Sequence, residues 1–251
     1  MEPILNSPFA IFACSLLLMW LSVRIGDVVR RRRPAKEEER EDLGVVTNAS
    51  LTLLALVIAF SFSMAVNRYD QRKNYEEEEA SAIGTEYVRA GLLPAAEATR
   101  VRQLLTQYLD QRILFYTAHS VPQLDRIASE TAKLQSEMWS IVQDAATEHP
   151  TPPVALGVSG MNDVSSRQRH TGAAWLNRIP PGAWNLMAVL AVCCCVLVGY
   201  GANSKGSVLF AVLPLIISLA FFLIADIDGP RSGAIRVPPQ NLISLSQSLG
   251  K

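Results

Sequence analysis

Long stretches of this chain carry no charge at all, and they constrain the fold more than anything else in it. Leu43 to Asn67 is an uncharged run of 25 residues, Ile179 to Ser204 one of 26, and Gly206 to Ala225 one of 20. A helix needs ~20 such residues to cross a hydrocarbon core ~30 Å thick. A fourth apolar segment, about 4–23, begins less cleanly because Asn6, Ser7 and Pro8 sit at its start. A secretory signal peptide is the alternative for that segment. The basic residues follow the apolar run instead of preceding it, and no small-residue cleavage site follows, so a span is expected. The expectation is an all-α, polytopic membrane protein with four transmembrane helices and a helical stalk inserted between spans two and three.

Charge is concentrated between the spans. The formal net charge is zero over 251 residues, so no global field argues for nucleic acid as a partner. The charged blocks are Arg24 to Asp42 and Arg68 to Arg178. The expected organisation is a first transmembrane hairpin over 1–67 (spans about 4–23 and 43–67) and a stalk over 68–178. A second hairpin over 179–226 (spans about 179–203 and 206–225) and a C-terminal tail over 227–251 complete it. The segment Gly199 to Gly206 leaves room only for a tight connection between spans three and four.

The stalk reads as helix. Val45 to Leu93 contains no proline and two glycines, Gly84 and Gly91, and Ala80, Ile83, Tyr87 and Ala90 recur at three- and four-residue steps. As one helix ended by Pro94 it would reach roughly 70 Å at 1.5 Å per residue. A second helix is expected from about Ala96 to Ala118. A third is expected to start at Ser120 as N-cap, with Pro122 in the first turn and Gln123 positioned for a capping box. Its set Leu124, Ile127, Thr131, Leu134, Met138, Ile141 and Ala145 alternates three and four, a coiled-coil seam. Pro150, Pro152 and Pro153 end it, and Val154 to Arg178 is expected to be helical again. The tail, rich in turn residues, is expected to lie along the stalk.

The second span carries the most informative face. Asn48, Thr52, Leu56, Phe60, Ser63 and Asn67 follow one another at steps of four, four, four, three and four, so they share one side of a helix. That side is polar at both ends and apolar in the middle. Around a symmetry axis it would line water, with rings of Leu56 and Phe60 at a constriction and Arg68 just beyond, drawing anions. Small and polar residues also serve ordinary helix packing in lipid, and spacing alone favours packing.

The segment LALVIAFSFSMAVNRYDQRKNYEEEEASAIGTEYVRAGLLP resembles the bacterial bestrophin-like membrane proteins and, more distantly, the bestrophin channels. In bestrophins the second span ends in an apolar run and a phenylalanine, followed eight residues later by an arginine and an aromatic. Here those are Phe60, Arg68 and Tyr69, with Asp70 and Arg72 completing the motif. The last span of bestrophins is followed by acidic residues, proline, an aromatic and glycine. Asp226, Asp228, Pro230 and Gly233 resemble that order, from which Arg231 and Ser232 depart. The resemblance implies a pentamer passing small anions such as chloride. By position its three-residue neck falls on Thr52, Leu56 and Phe60, of which Thr52 departs from the apolar pattern. Calcium-sensing bestrophins use a longer acidic run after the last span than Asp226 and Asp228 supply.

The resemblance also implies a cytoplasmic stalk. The positive residues near membrane ends divide evenly between the two sides, while the dense run Arg30 to Arg33 favours keeping the first loop inside. The expected location is a bacterial inner membrane.

Elsewhere the sequence points away from chemistry. Cys14 and the run Cys193, Cys194 and Cys195 lie inside proposed spans, fit no disulfide framework or metal spacing, and read as small apolar packing residues. His119, His149 and His170 have no ligand spacing. No phosphate loop, nucleophile elbow or paired carboxylates stand out, so neither an enzyme nor a cofactor is expected. The run Glu76 to Glu79 reads as a solvated helix face. Asp226, directly after an uncharged span, is expected to have a charged partner such as Arg231 or a stalk arginine. The alternative to a channel is a non-transporting scaffold or signalling protein, whose seam and acidic run dock a partner.

Overall fold

The computed structural model describes residues 7–34, 37–202, 209–231 and 233–250. Ile4 to Asn6, where the first span was expected to start, lie outside the described residues. So do Ser232 and residues 203–208, which include half of the expected connection between spans three and four.

In chain order the helices are α1 (Pro8–Arg32), α2 (Glu37–Arg89), α3 (Ala95–Thr117), α4 (Val121–Glu148), α5 (Pro152–Leu176), α6 (Pro181–Gly201), α7 (Leu209–Asp228) and α8 (Gln240–Ser248). A short 3₁₀ turn, Ala90–Leu92, follows α2. Proline stands in the first turn of α1, α4, α5 and α6, where its missing N–H costs nothing. Pro152 and Pro153 therefore open α5, having been expected only to end the helix before it. Among the described residues four helices are long and apolar enough to cross a membrane, so the expected all-α four-span plan holds.

The chain divides into two compact units. One comprises Met1–Arg68 with Arg178–Arg236, and the other Tyr69–Asn177 with Val237–Lys251. The boundary falls inside α2, which at 53 residues extends for about 80 Å. The helix begins before the uncharged run, at Glu37. Likewise α1 runs past the expected end of its span and through Arg30, Arg31 and Arg32, whose charge suits a helix C-terminus. Asp27, buried one turn earlier, pairs with Arg30 and Arg31.

In the first unit α1 packs against α6 and α7. The α1–α6 contact depends on two glycines. A Cβ on Gly26 would stand 2.2 Å from the Val196 carbonyl oxygen, and one on Gly199 would stand 2.1 Å from that of Val23. Small residues allow such close backbone approach, a main source of helix association in lipid. Phe9 and Phe12 close on Phe222 of α7, and Trp184 meets Phe221 edge to face. Cys194 and Cys195 are buried as packing residues, whereas Cys14 and Cys193 are exposed.

The second unit is a helical bundle with its own core. Leu105, Tyr108, Leu109, Met138, Met161 and Leu242 are among the side chains with no exposure at all. The α4 seam faces this core: Ile127, Thr131, Leu134, Met138 and Ala145 are buried, Leu124 is half-buried, and Val142 is buried where Ile141 was expected. The seam thus packs against neighbouring helices of its own chain. Ser120 sits at the N-cap position of α4 but makes no side-chain cap. Gln123 instead accepts the His119 N–H at 3.4 Å, one residue earlier than the capping box required. His170 lies within α5, beside the Tyr75 ring, and not at a helix end.

The run Glu76 to Glu79 is not a solvated face. Glu76 and Glu79 are buried, at 1% and 0% exposure, while Glu77 is exposed and Glu78 half-buried. The reason is periodic: Arg72, Glu76, Glu79, Ile83, Glu86 and Ala90 alternate steps of four and three, and all are buried. The inward face of α2 in this unit is therefore largely ionisable. Each carboxylate but one has a partner. Glu79 binds Arg112 in a buried ion pair and accepts from Thr171 Oγ1 at 3.1 Å and Tyr116 OH at 3.4 Å. Burial pushes the Tyr116 hydroxyl up from its ordinary range, and the Glu79 carboxylate beside it adds to the shift.

Candidate pore face

All six residues of the predicted stripe lie on one continuous stretch of α2, and all six are exposed. Leu56 is 51% exposed and Phe60 63%, with Asn48, Thr52, Ser63 and Asn67 open on either side of them. The other side of the same stretch is packed: Leu54, Ser61 and Ala65 are buried. Among the described residues nothing covers the stripe. Its polar ends and apolar centre are thus offered whole to whatever adjoins it.

Thr52, the departure from an apolar neck, is less polar in place than its side chain suggests. Its hydroxyl donates to the Asn48 carbonyl one turn back at 2.9 Å, so the donor is spent on the helix itself. Arg68 ends the stripe. It is half-buried, and its Nε and Nη1 are enclosed with no hydrogen-bond partner. Guanidinium N–H groups in that condition favour an acceptor, and an anion best.

The rest of the expected motif separates from the stripe. Tyr69 packs on the core of the second unit and Asp70 is exposed. Arg72 is 1% exposed and donates from Nε to the Ala174 carbonyl at 3.2 Å and from Nη2 to the Asn177 carbonyl at 3.1 Å. It satisfies carbonyls at the C-terminal end of α5, where a cation also suits the helix dipole. Its position indicates a structural anchor.

The acidic pair after the last span lies in the final turn of α7, not beyond it. Asp226 is 2% exposed and accepts the N–H groups of Ala234 at 2.7 Å and Ile235 at 3.0 Å. Where a charged partner was expected, backbone amides of the following turn hold it. Gly233 makes that turn possible, since a Cβ there would stand 2.2 Å from Asp226 Oδ1. Pro230 is buried in the same turn. Asp228 accepts the Ile179 N–H at 3.1 Å from Oδ1, just ahead of α6. Both carboxylates tie chain segments of the first unit together. Among the described residues no group of three His, Cys, Asp or Glu side chains is placed to hold a metal ion.

What sequence reasoning missed are the partners of the inward acidic face and the glycine contact between α1 and α6. Glu79 with Arg112, Glu76 with Leu242, and Gly26 with Gly199 are remote in sequence, and no local spacing links them.

The bestrophin-like domain model matches residues 9–242. Crystal structures of a bacterial bestrophin homologue from Klebsiella pneumoniae share the fold. One is 12% identical at a TM-score of 0.63, covering 98% of this chain and 99% of that one. Another is 14% identical at a TM-score of 0.64, covering 95% and 97%. A crystal structure described as a membrane protein is 14% identical at 0.65, with 95% and 97% covered. No curated protein matches the chain. With its family match running over nearly the whole sequence, four candidate spans and this shared fold, the chain belongs to the bestrophin-like family of membrane proteins.

Proposed function

We propose that the protein is a homo-oligomeric channel, pentameric by resemblance, that passes small inorganic anions such as chloride across a bacterial inner membrane. The observation that carries this is the uncovered face of α2, from Asn48 to Asn67, with Leu56 and Phe60 at its centre. Repeated around an axis, the two apolar residues form a constriction that gates by dewetting, and Asn48, Ser63 and Asn67 form wettable mouths. Arg68 supplies fixed positive charge and unpaired donors next to the pore. The mechanism is passive: no group on this path needs to react, which supports a channel over an enzyme. The unit from Tyr69 to Asn177 lies in the cytoplasm on this reading, as the resemblance implies.

A scaffold that docks a partner has less support. Of the two features that favoured it, the α4 seam is turned into the chain's own core, and so are Glu76 and Glu79 of the acidic run, which leaves Glu77 as its one exposed member.

Purified protein in planar bilayers tests the proposal. Under an anion gradient the wild type passes a current reversing near the anion equilibrium potential, and Phe60→Ala raises the conductance. Absence of current from both proteins would contradict it.

A further inference from the structure

Glu86 is the one carboxylate of the inward α2 face for which the structure provides no partner. Its side chain has no exposure, and neither Oε1 nor Oε2 makes a hydrogen bond. It occupies a notch in α5 that exists because two glycines stand there. A Cβ on Gly160 would be 1.7 Å from Oε2, and one on Gly157 would be 3.9 Å from Oε1. Gly160 also lines a polar groove of about 560 Å³ shared by Asn74, Thr85, Arg89, Asp163 and Arg167.

The charges facing Glu86 are engaged elsewhere. On its own helix, Arg89 is paired at 3.7 Å with Asp163 of α5, which is itself 58% exposed. Arg167 of α5 pairs with Glu78. From α3, Arg102 donates to the Tyr87 carbonyl at 3.1 Å. With Arg89 held by Asp163, an ionised carboxylate here would be a buried charge without a hydrogen-bonded partner, and burial favours the neutral acid. Arg89 is nevertheless within reach: its Nη1 lies 3.1 Å from the same Gly160 Cβ position that Oε2 crowds.

We propose that Glu86 is a proton-binding site, and that loss of its proton swings Arg89 from Asp163 onto Glu86, rearranging the α2–α5 contact. The step balances simply: the carboxylic acid gives its proton to water, and the resulting carboxylate takes the arginine as counter-ion. The exchange costs little because the pair that Arg89 gives up is long and exposed. Burial, opposed by Arg89 and reinforced by Asp163, pushes the Glu86 carboxyl up to about 8. The switch therefore operates in a range where ordinary carboxylates are silent.

Infrared difference spectra of the full-length protein in detergent, titrated from acid to alkali, test this directly. The expected result is a protonated-carboxyl carbonyl band that disappears with a midpoint near 8 and is missing in Glu86→Gln. Asp163→Asn changes an exposed side chain and removes the carboxylate that holds Arg89. It should move the midpoint down by a fraction of a pH unit, on the order of the strength of an exposed pair. A band that survives in Glu86→Gln, a wild-type midpoint in the ordinary carboxylate range, or an unmoved midpoint in Asp163→Asn would each overturn the proposal.

Discussion

Glu76 caps a helix to which it is not joined: its Oε1 accepts the backbone N–H of Leu242, in the first turn of α8, at 2.9 Å. Its other oxygen accepts from the Asn241 side chain at 2.6 Å. α8 has Pro239 at its N-cap position, which has no side-chain oxygen to offer. A carboxylate from α2, 166 residues away in sequence, fills that role and meets the positive end of the helix dipole. Leu242 is in turn fully buried in the core of the second unit.

Glu76→Ala should therefore release α8. Loss of a charge-assisted cap with a buried N–H left unpaired costs about 1–3 kcal/mol. Limited proteolysis should cut the segment after Val237 sooner in the variant than in the wild type, with the rest of the bundle intact. Equal cleavage rates would show that the cap contributes little.

The buried Arg112–Glu79 pair predicts a different pattern. Removing one member strands the other without water, which costs about 3–5 kcal/mol, whereas replacing both by apolar residues is often close to neutral. Arg112→Met should lower the Tm of the solubilised protein strongly, and Arg112→Met with Glu79→Leu should recover most of the loss. A double variant no better than the single one would mean that Thr171 and Tyr116, which also bind Glu79, dominate the network.

Glu86 predicts how stability varies with pH. Its folded-state value, about 8, lies above the ordinary 4.5, so between the two the folded chain holds a proton that the unfolded chain has lost. Stability from this group is full below the unfolded value, falls as pH rises between them, and is level above 8. The slope in that window is at most about 1.4 kcal/mol per pH unit. Thermal melts of wild type and Glu86→Gln across this range should diverge, the variant losing this part of the slope. Parallel curves would contradict the assignment.

These groups also show where sequence reading succeeds and where it stops. The spans were legible because lipid imposes a long uncharged run, a demand made on each segment by itself. The stripe from Asn48 to Asn67 was legible because helical period alone puts those residues on one side, and the structure leaves that side open. The acidic run was misread for a physical reason. Glu77 is exposed while its neighbours Glu76 and Glu79 point inward, so one run of identical residues serves water and core at once. What stabilises the inward ones is Arg112, Thr171 and the start of α8, none of them near in sequence. Arg72 was likewise assigned by its place in a motif, whereas its task is set by two carbonyls about a hundred residues on.

A density map of the detergent-solubilised assembly, viewed along its symmetry axis, examines the central claim most directly. The prediction is a closed ring, five-fold by resemblance, with Leu56 and Phe60 of every copy projecting into a solvated axial passage and Arg68 at its end. A map in which those side chains face lipid, or are sealed between dry neighbouring helices, would contradict it.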